Sequence, residues 1–251
     1  MFRIIISFLT LISVLSCNKF DKVMIIGHRG AMGHIAENTI PSIEKAMKLG
    51  VDGIEIDVFK CKTGELVVFH DQKLDRLTNS TGFIESLELD SIKNIIVLDK
   101  YKIPTLEEVL ELIDGQVKLN IELKGYGTAS PTNNLINQYI NNGRWTEDKF
   151  IISSFKWGEL EKIRELNMTI PIAVLVNSNV NPIDALPFAK KVKAIAVNPY
   201  FKDLNQENIL EIHSNGLKVF PYTVNELDDI ERMVKLGVDA IITDYPERFN
   251  K

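Results

Sequence analysis

The sequence contains little cysteine, with only Cys17 and Cys61 among 251 residues. Neither a CxxC pair nor a cluster of cysteine and histidine occurs, so a zinc–thiolate site is set aside. Basic residues are also the minority, because 29 lysines and arginines stand against 34 acidic residues and the formal net charge is −5. No basic stripe interleaved with aromatic residues is present, which argues against a nucleic-acid partner.

Long apolar runs are confined to the N-terminus. Arg3 precedes an apolar run over residues 4–15, a length typical of a signal peptide and too short to span a bilayer comfortably. The segment VLSC then resembles the lipobox of bacterial lipoproteins. We therefore predict a signal peptide over residues 1–16 and lipidation of Cys17, which would leave the second cysteine without a disulfide partner. An ordinary secretory signal with a chance cysteine is the alternative, and an uncleaved anchor is less favoured.

Both leading interpretations of the N-terminus place the mature protein outside the cytoplasm. Lipidation would anchor it to a membrane, facing the periplasm or the cell surface. The composition of the whole chain, 45% hydrophobic and 25% charged, is typical of a globular protein. Its length suits one large α/β domain or two small ones.

From residue 23 onward, apolar β-rich runs alternate with amphipathic stretches, which predicts βαβ units and a parallel sheet. The predicted strands cover residues 23–27, 53–59, 65–70, 117–123, 149–155, 172–176, 194–198, 218–224 and 240–244. The clearest predicted helices cover residues 39–50, 105–114, 157–167 and 225–237. Three of these helices end in Gly or Asn, as helix C-termini commonly do.

Nine strands exceed the eight of a TIM barrel, and one short connection resolves the excess. Only KCKTG separates the strands at 53–59 and 65–70, whereas a parallel crossover needs about a dozen residues. We therefore predict that 65–70 is an antiparallel hairpin arm and that the other eight strands form a (β/α)8 barrel over residues 23–250. An open doubly wound sheet is the competitor, but its Gly-rich phosphate loop is absent.

Residues 71–104 interrupt the alternation of strands and helices. They contain turn signals and short apolar patches without a full strand pattern. We predict an insertion here, either a lid or a small subdomain, before the helix that begins near residue 105.

Charged side chains occur in strands that should be almost wholly apolar in a parallel barrel. Glu55 and Asp57 alternate with apolar residues in GIEIDVF, and Glu122 and Lys124 do so in NIELK. Residues two apart share one face of a strand, so each pair points to one side. Buried carboxylates are costly without a partner, and three oxygen ligands without sulfur suit Mg²⁺ or Ca²⁺. We therefore predict that Glu55, Asp57 and Glu122 bind one divalent cation.

Proton-carrying and cationic groups stand at the ends of two other predicted strands. His28 and Arg29 follow the first strand, and His70 and Asp71 end the hairpin arm. Arg29 offers a planar fork for phosphate oxygens and Lys124 a compact charge, while the two histidines could act as acid and base. The alternative for the whole set is a surface-facing strand or an interior salt-bridge network of carboxylates with Arg29 and Lys124.

Four further polar residues receive smaller roles. His34 lies in a loop and His213 in a helical stretch, so both are expected to be surface or packing residues. Glu37 and Asn38 are expected to brace the loop after the first strand or to lie just outside the metal ligands.

The order of the motifs is specific to one family. HRG…ENT, EIDV, VVFHD, LDRLTNSTG, ELK, TVNE and GVDAIITDYPE follow one another between residues 24 and 247. This series resembles the glycerophosphodiester phosphodiesterases. The resemblance implies a TIM barrel with its site at the C-terminal mouth, a divalent metal on the three carboxylates, His28 and His70 as catalytic acid and base, and Arg29 on the phosphate.

The resemblance implies hydrolysis of a glycerophosphodiester to glycerol 3-phosphate and an alcohol. Relatives of the phospholipase type further suggest attack by the substrate's own 2-hydroxyl through a cyclic phosphate. Two rivals remain: a same-fold enzyme acting on intact phospholipid or sphingolipid, and a lipid-anchored binding protein without turnover. Ala36, Leu77 and Tyr222 replace residues common in the family (Pro, Thr and Trp), and we expect them to affect how the alcohol half of the substrate is held.

Overall fold

The computed structural model describes residues 23–249. The predicted signal peptide and Cys17 lie outside this range. The strands are β1 (Met24–Gly27), β2 (Gly53–Lys60), β3 (Leu66–Val68), β4 (Lys118–Leu123), β5 (Phe150–Ser154), β6 (Ile172–Leu175), β7 (Ala196–Asn198), β8 (Lys218–Val219) and β9 (Ala240–Thr243). The helices are α1 (Ile40–Lys48), α2 (Leu89–Asn94), α3 (Leu106–Ile113), α4 (Ala129–Asn141), α5 (Trp157–Leu166), α6 (Leu186–Lys191), α7 (Gln206–Ser214) and α8 (Leu227–Leu236).

Eight of the strands form a parallel barrel with the order β8–β7–β6–β5–β4–β2–β1–β9, and β3 pairs antiparallel with β2. The two ends of this order are joined by backbone hydrogen bonds. Asp239 N donates to Val219 O at 3.0 Å, and Ile242 N donates to Pro221 O at 3.0 Å. The predicted TIM barrel with a hairpin arm is therefore confirmed.

The strand predicted over residues 218–224 is shorter than expected, because the β8 ladder ends at Val219. Pro221 has no N–H to donate, so a regular ladder cannot continue through it. The following backbone still bonds to both neighbours, since Phe220 N donates to Val197 O and Val224 N donates to Ile242 O, each at 3.0 Å.

The two faces of the barrel strands pack differently. On β2, Ile54 and Ile56 face outward into the main core between barrel and helices, and the two-residue period turns Glu55 and Asp57 inward. The barrel interior contains a smaller apolar cluster that includes Ile26, Ile151 and Phe220. The inward face of β2 is therefore the one that carries its carboxylates.

Two helix starts fix the loops at the mouth of the barrel. The Thr39 hydroxyl caps α1 by accepting from Ser42 N, and Thr105 and Glu108 form a reciprocal capping box at α3. Of the helices described in residues 23–249, none has the length and apolar character needed to cross a membrane.

Residues 71–104 form a second apolar core against the outer side of the hairpin. The segment contains α2 and short turns, and no barrel strand. The side chains of this core are Phe59, Cys61, Val67, Phe69, Leu74, Ile84, Ile92, Ile95, Val97 and Ile103. The segment buries its own apolar side chains on β2 and β3, and we refer to residues 71–104 as the small subdomain.

Candidate active site

The charged residues predicted from the sequence meet at the C-terminal end of the barrel. Glu55 and Asp57 point inward from β2, Glu122 points inward from β4, and Lys124 directly follows β4. His28 directly follows β1. A cavity of about 180 Å³ opens beside these side chains. It is lined by His28, Glu55, Glu122 and Lys124, and also by Arg29, His70, Asn120, Ser153, Phe155 and Tyr222.

The three carboxylates form one buried cluster. Asp57 and Glu122 are paired in register across β2 and β4, and an oxygen from each of Glu55, Asp57 and Glu122 lies within 4.8 Å of the others. Burial and the charges of Asp57 and Glu122 raise the pKa of Glu55 well above its usual value, and burial and Asp57 raise the pKa of Glu122 to about 7. The cluster suits a hard divalent cation, which would relieve this repulsion.

Two cationic side chains lie against the cluster. Arg29 Nε is 3.3 Å from Asp57 Oδ2, and Lys124 Nζ is 3.0 Å from Glu122 Oε1 and 3.8 Å from Asp57 Oδ1. Burial alone would raise the pKa of Asp57, but these two cations, together with His70 and a hydrogen bond from Asn38, hold that pKa below its usual value. A salt-bridge network therefore exists, as the alternative interpretation expected, but its three carboxylates outnumber its two cations.

His28 is held from one side by an aspartate. Its Nδ1 lies 2.7 Å from Asp244 Oδ1, and its Nε2 lies 3.9 Å from Glu55 Oε2. Asn225 Nδ2 donates to the other oxygen of Asp244 at 2.7 Å. Burial alone would raise the pKa of Asp244, but hydrogen bonds from His28 and Asn225 hold that pKa below its usual value. This geometry places a proton on Nδ1 and turns Nε2 toward the carboxylate cluster.

Sequence reasoning missed Asp244 and Asn225. The sequence did contain a signal for Asp244. It lies at the C-terminal end of the strand predicted over residues 240–244, and a place at a strand end was also the reason for selecting His28.

His70 has a matching arrangement on the hairpin side. Its Nδ1 lies 2.6 Å from Asp71 Oδ1, and its Nε2 lies 3.2 Å from Lys124 Nζ. Burial, helped by the positive charges of Arg29 and Lys124, lowers the pKa of His70. Lysine can only donate, so Nε2 accepts and the ring proton sits on Nδ1.

The loop between β1 and α1 braces the charged residues. Asn38 Nδ2 donates to Asp57 Oδ2 at 2.8 Å, and Asn38 Oδ1 accepts from Asp57 N at 3.2 Å. Glu37 accepts from Arg29 Nη1 at 2.6 Å. Arg29 and Asn38 both have positive φ angles, +50° and +57°, a conformation uncommon for residues other than glycine and typical of functional loops.

The small subdomain reaches this brace through Arg76, which sequence reasoning also missed. Arg76 donates to Glu37 at 2.8 and 3.0 Å and to Asp71 at 2.5 and 3.0 Å. It thereby links the acid that contacts Arg29 to the acid that contacts His70.

The remaining residues singled out from the sequence lie outside the charged cluster. His34 is partly exposed and contacts Glu247 at 2.9 Å, and His213 contacts Asp239 at 2.9 Å at the opposite end of the barrel. Tyr222 lines the cavity, where its hydroxyl donates to Val176 O at 2.7 Å and its ring meets Phe155 edge-on.

Known proteins of one family match nearly the whole chain. The model of the glycerophosphoryl diester phosphodiesterase family matches residues 28–248. A glycerophosphodiester phosphodiesterase from Caldanaerobacter subterraneus subsp. tengcongensis is 36% identical, covering 90% of this chain and 96% of its own. One from Bacillus subtilis (strain 168) is 33% identical, covering 92% and 86%.

A solved structure shares the fold. A phosphodiesterase from Oleispira antarctica, in complex with the product sn-glycerol-3-phosphate, superposes with a TM-score of 0.82 at 26% identity and covers 92% of this chain and 97% of its own. The residues matched by the family model include strands β2 to β9 and all the charged residues of the mouth described above. The chain belongs to the glycerophosphoryl diester phosphodiesterase family.

Proposed function

We propose that this protein hydrolyses glycerophosphodiesters to glycerol 3-phosphate and a free alcohol, using one divalent cation, Ca²⁺ or Mg²⁺, and two histidines. The observation that carries the proposal is the convergence of Glu55, Asp57 and Glu122 in one cluster, beside a cavity that Glu55, Glu122, His28 and His70 line. The family supports the reaction class, and the Oleispira antarctica relative was solved with sn-glycerol-3-phosphate.

The cationic side chains would hold the phosphate. Arg29 and Lys124 both line the cavity, and a guanidinium and an ammonium are both suited to phosphate oxygens. A cation bound by Glu55, Asp57 and Glu122 would supply further positive charge against the negative charge that grows in the transition state.

The hydrogen bonds of the two histidines support different roles in proton transfer. His70 has a neutral ring with a lone pair on Nε2 when Lys124 turns to the phosphate, which suits a general base. His28 is oriented by the Asp244 carboxylate at Nδ1 and turns Nε2 toward Glu55 and the cavity, the position from which a general acid can reach the leaving alcohol oxygen. The nucleophile would be the substrate's own 2-hydroxyl, because an intramolecular attack has a high effective concentration.

In the first step, the 2-hydroxyl oxygen forms a bond to phosphorus and its proton moves to His70 Nε2. The bond between phosphorus and the alcohol oxygen breaks, and His28 Nε2 donates a proton to that oxygen. Water then opens the cyclic phosphate with the two histidines in reversed roles, which returns each to its starting protonation state.

The N-terminal sequence supports a location outside the cytoplasm. We propose that Cys17 is lipidated and holds the enzyme at a membrane outside the cytoplasm. The support is the run of residues 4–15 followed by VLSC. A mass measurement of the mature N-terminus would detect the acyl chains, and an unmodified Cys17 or an intact Met1 would contradict lipidation.

The reaction is tested by product analysis. Purified protein with Mg²⁺ or Ca²⁺ is offered glycerophosphocholine, phosphatidylcholine and sphingomyelin, and sn-glycerol 3-phosphate is measured by a coupled assay. We expect glycerol 3-phosphate and choline from the first substrate and negligible turnover of both intact lipids. Cleavage of the intact lipids alone would instead assign a phospholipase or sphingolipid phosphodiesterase, and no turnover of any substrate would contradict catalysis.

A further inference from the structure

The cavity contains two polar atoms that the mechanism above does not use. Asn120 Oδ1 and Ser153 Oγ are both buried without a hydrogen-bond partner among the described residues. Asn120 is 3% exposed and Ser153 is 0% exposed, and both residues line the cavity. Buried polar atoms without partners are rare in native proteins because each costs free energy. In a cavity, they indicate a bound polar group.

Strand register places these two atoms beside the carboxylates. Asn120 on β4 is paired with Glu55 on β2, and Ser153 on β5 is paired with Glu122 on β4. Asn120 precedes Glu122 by two residues, so both share the inward face. We call Asn120 and Ser153 the polar wall of the cavity.

The rest of the cavity restricts what can lie against the polar wall. Leu175 and Ile242 contribute apolar side chains to its lining. Its volume of about 180 Å³ is below the roughly 300–1,000 Å³ of typical ligand pockets. This space suits a short chain of carbons carrying hydroxyls next to a phosphate, and it is too small for acyl chains.

The chemistry of the polar wall favours a hydroxyl. Asn120 Oδ1 can only accept a hydrogen bond, whereas the Ser153 hydroxyl both donates and accepts. A free hydroxyl on the ligand can satisfy either atom, but an ester oxygen cannot donate to Asn120 Oδ1. An acylated glycerol would therefore leave that atom unsatisfied.

We propose that Asn120 and Ser153 bind the hydroxyls of the glycerol moiety and so select the glycerophosphoryl group over other phosphate esters. This inference rests on the proposed function for its substrate, but it concerns binding and is testable without turnover. The polar wall recognises the half of the substrate that is retained as glycerol 3-phosphate.

The test is calorimetric titration of the protein, with saturating Mg²⁺ or Ca²⁺, with sn-glycerol 3-phosphate and with methyl phosphate, which lacks the hydroxyls. We expect the wild type to bind glycerol 3-phosphate more tightly. In Asn120→Leu and Ser153→Ala, this preference should fall by about tenfold for each hydrogen bond lost, while the affinity for methyl phosphate stays within about twofold.

A matched control is Thr132→Val on α4. Thr132 Oγ1 is also buried and has no hydrogen-bond partner within residues 23–249, but Thr132 does not line the cavity. This variant should keep the full preference for glycerol 3-phosphate. Thermal denaturation adds a second readout, because replacing an unpartnered polar group by an apolar one of similar shape should leave the melting temperature unchanged or raised.

An unchanged preference in the variants, or equal weakening of both ligands, would overturn the proposal, since equal weakening points to the phosphate or the metal. If Asn120→Leu does not fold, the smaller change in Ser153→Ala decides the outcome alone. A wild type that prefers glycerol 3-phosphate but does not hydrolyse glycerophosphocholine would contradict the proposed function and leave this inference standing.

Discussion

The two ends of strand β9 each carry an aspartate bonded to a histidine, and the surroundings of the two pairs differ. At the C-terminal end, Asp244 holds His28 at 2.7 Å, and the His28 side chain is 15% exposed. At the N-terminal end, Asp239 holds His213 at 2.9 Å, and that histidine is 35% exposed. Only the first pair opens onto the cavity and the carboxylate cluster.

This contrast shows that a His–Asp pair is not by itself a catalytic feature. Asp239 Oδ2 also accepts from Val219 N at 2.9 Å, so the pair at the N-terminal end ties a helix terminus to the barrel. At the C-terminal end, the contact with Asp244 orients the His28 ring so that its Nε2 faces Glu55. The role of the pair therefore depends on the neighbours of the histidine. In TIM barrels generally, the C-terminal ends of the strands carry catalytic residues and the N-terminal ends contribute to stability.

The largest effect that separates the two ends is expected from removing the histidines. His28→Ala and His70→Ala should each lower turnover of glycerophosphocholine by about 10²-fold or more, because each removes a proton-transfer group. His213→Ala should keep turnover within about twofold of wild type. Steady-state kinetics on the three variants provide the check, and near-wild-type rates in both His28→Ala and His70→Ala would refute their assignment.

The aspartates provide a finer comparison on the same strand. Asp244→Asn should reduce kcat by about 10- to 10²-fold, because a misoriented His28 ring no longer aligns with the reacting atoms. Asp239→Asn should leave kcat unchanged and lower the free energy of unfolding by about 1 kcal/mol. Kinetics and denaturant unfolding of both variants separate the outcomes, and equal kcat values in the two would show that Asp244 does not position His28.

The brace from the small subdomain should have a smaller effect. Arg76→Gln removes the guanidinium that joins Glu37 to Asp71 and should lower kcat/KM by about tenfold. Glu37 and Asp71 orient Arg29 and His70, and losing such an outer contact typically costs about this much activity. Lys62→Gln is the control, because Lys62 pairs with Glu88 on the surface and does not line the cavity. A loss of the same size in both variants would point to a general effect on folding.

The smallest effect on turnover accompanies a pH dependence of stability that arises at the mouth. Because the pKa of Glu122 is raised to about 7 from a usual value near 4.5, the folded state binds this proton more tightly than the unfolded chain. The metal-free protein should therefore lose stability as pH rises from about 5 to about 8, and added metal should restore more stability at the higher pH. Thermal melts of wild type and Glu122→Gln test this, since the variant should lack the Glu122 contribution to the slope.

Local patterns allowed much of this molecule to be predicted from the sequence. Glu55 and Asp57 were recognisable because a two-residue period is a property of one strand, and the short connection to β3 fixed the hairpin. Contacts between distant segments could not be read in that way. His28 and Asp244 are 216 residues apart, and Arg76 and Glu37 are 39 apart. Their pairing depends on barrel closure and on how the small subdomain sits.

Helix α4 shows the same limit within one element. Its sequence, ASPTNNLINQYIN, is rich in polar residues and weak in apolar periodicity, so packing of Ile136 and Tyr139 on the barrel stabilises it more than local preference does.

The most direct test of the central claim is the release of sn-glycerol 3-phosphate from glycerophosphocholine by protein treated with EDTA and then supplied with Mg²⁺ or Ca²⁺. Activity should vanish with the chelator and return with the metal in the wild type, and it should stay near background in Glu122→Gln at the same metal concentration. Full activity in the presence of EDTA, or a Glu122→Gln variant as active as wild type, would contradict a metal held by the three carboxylates.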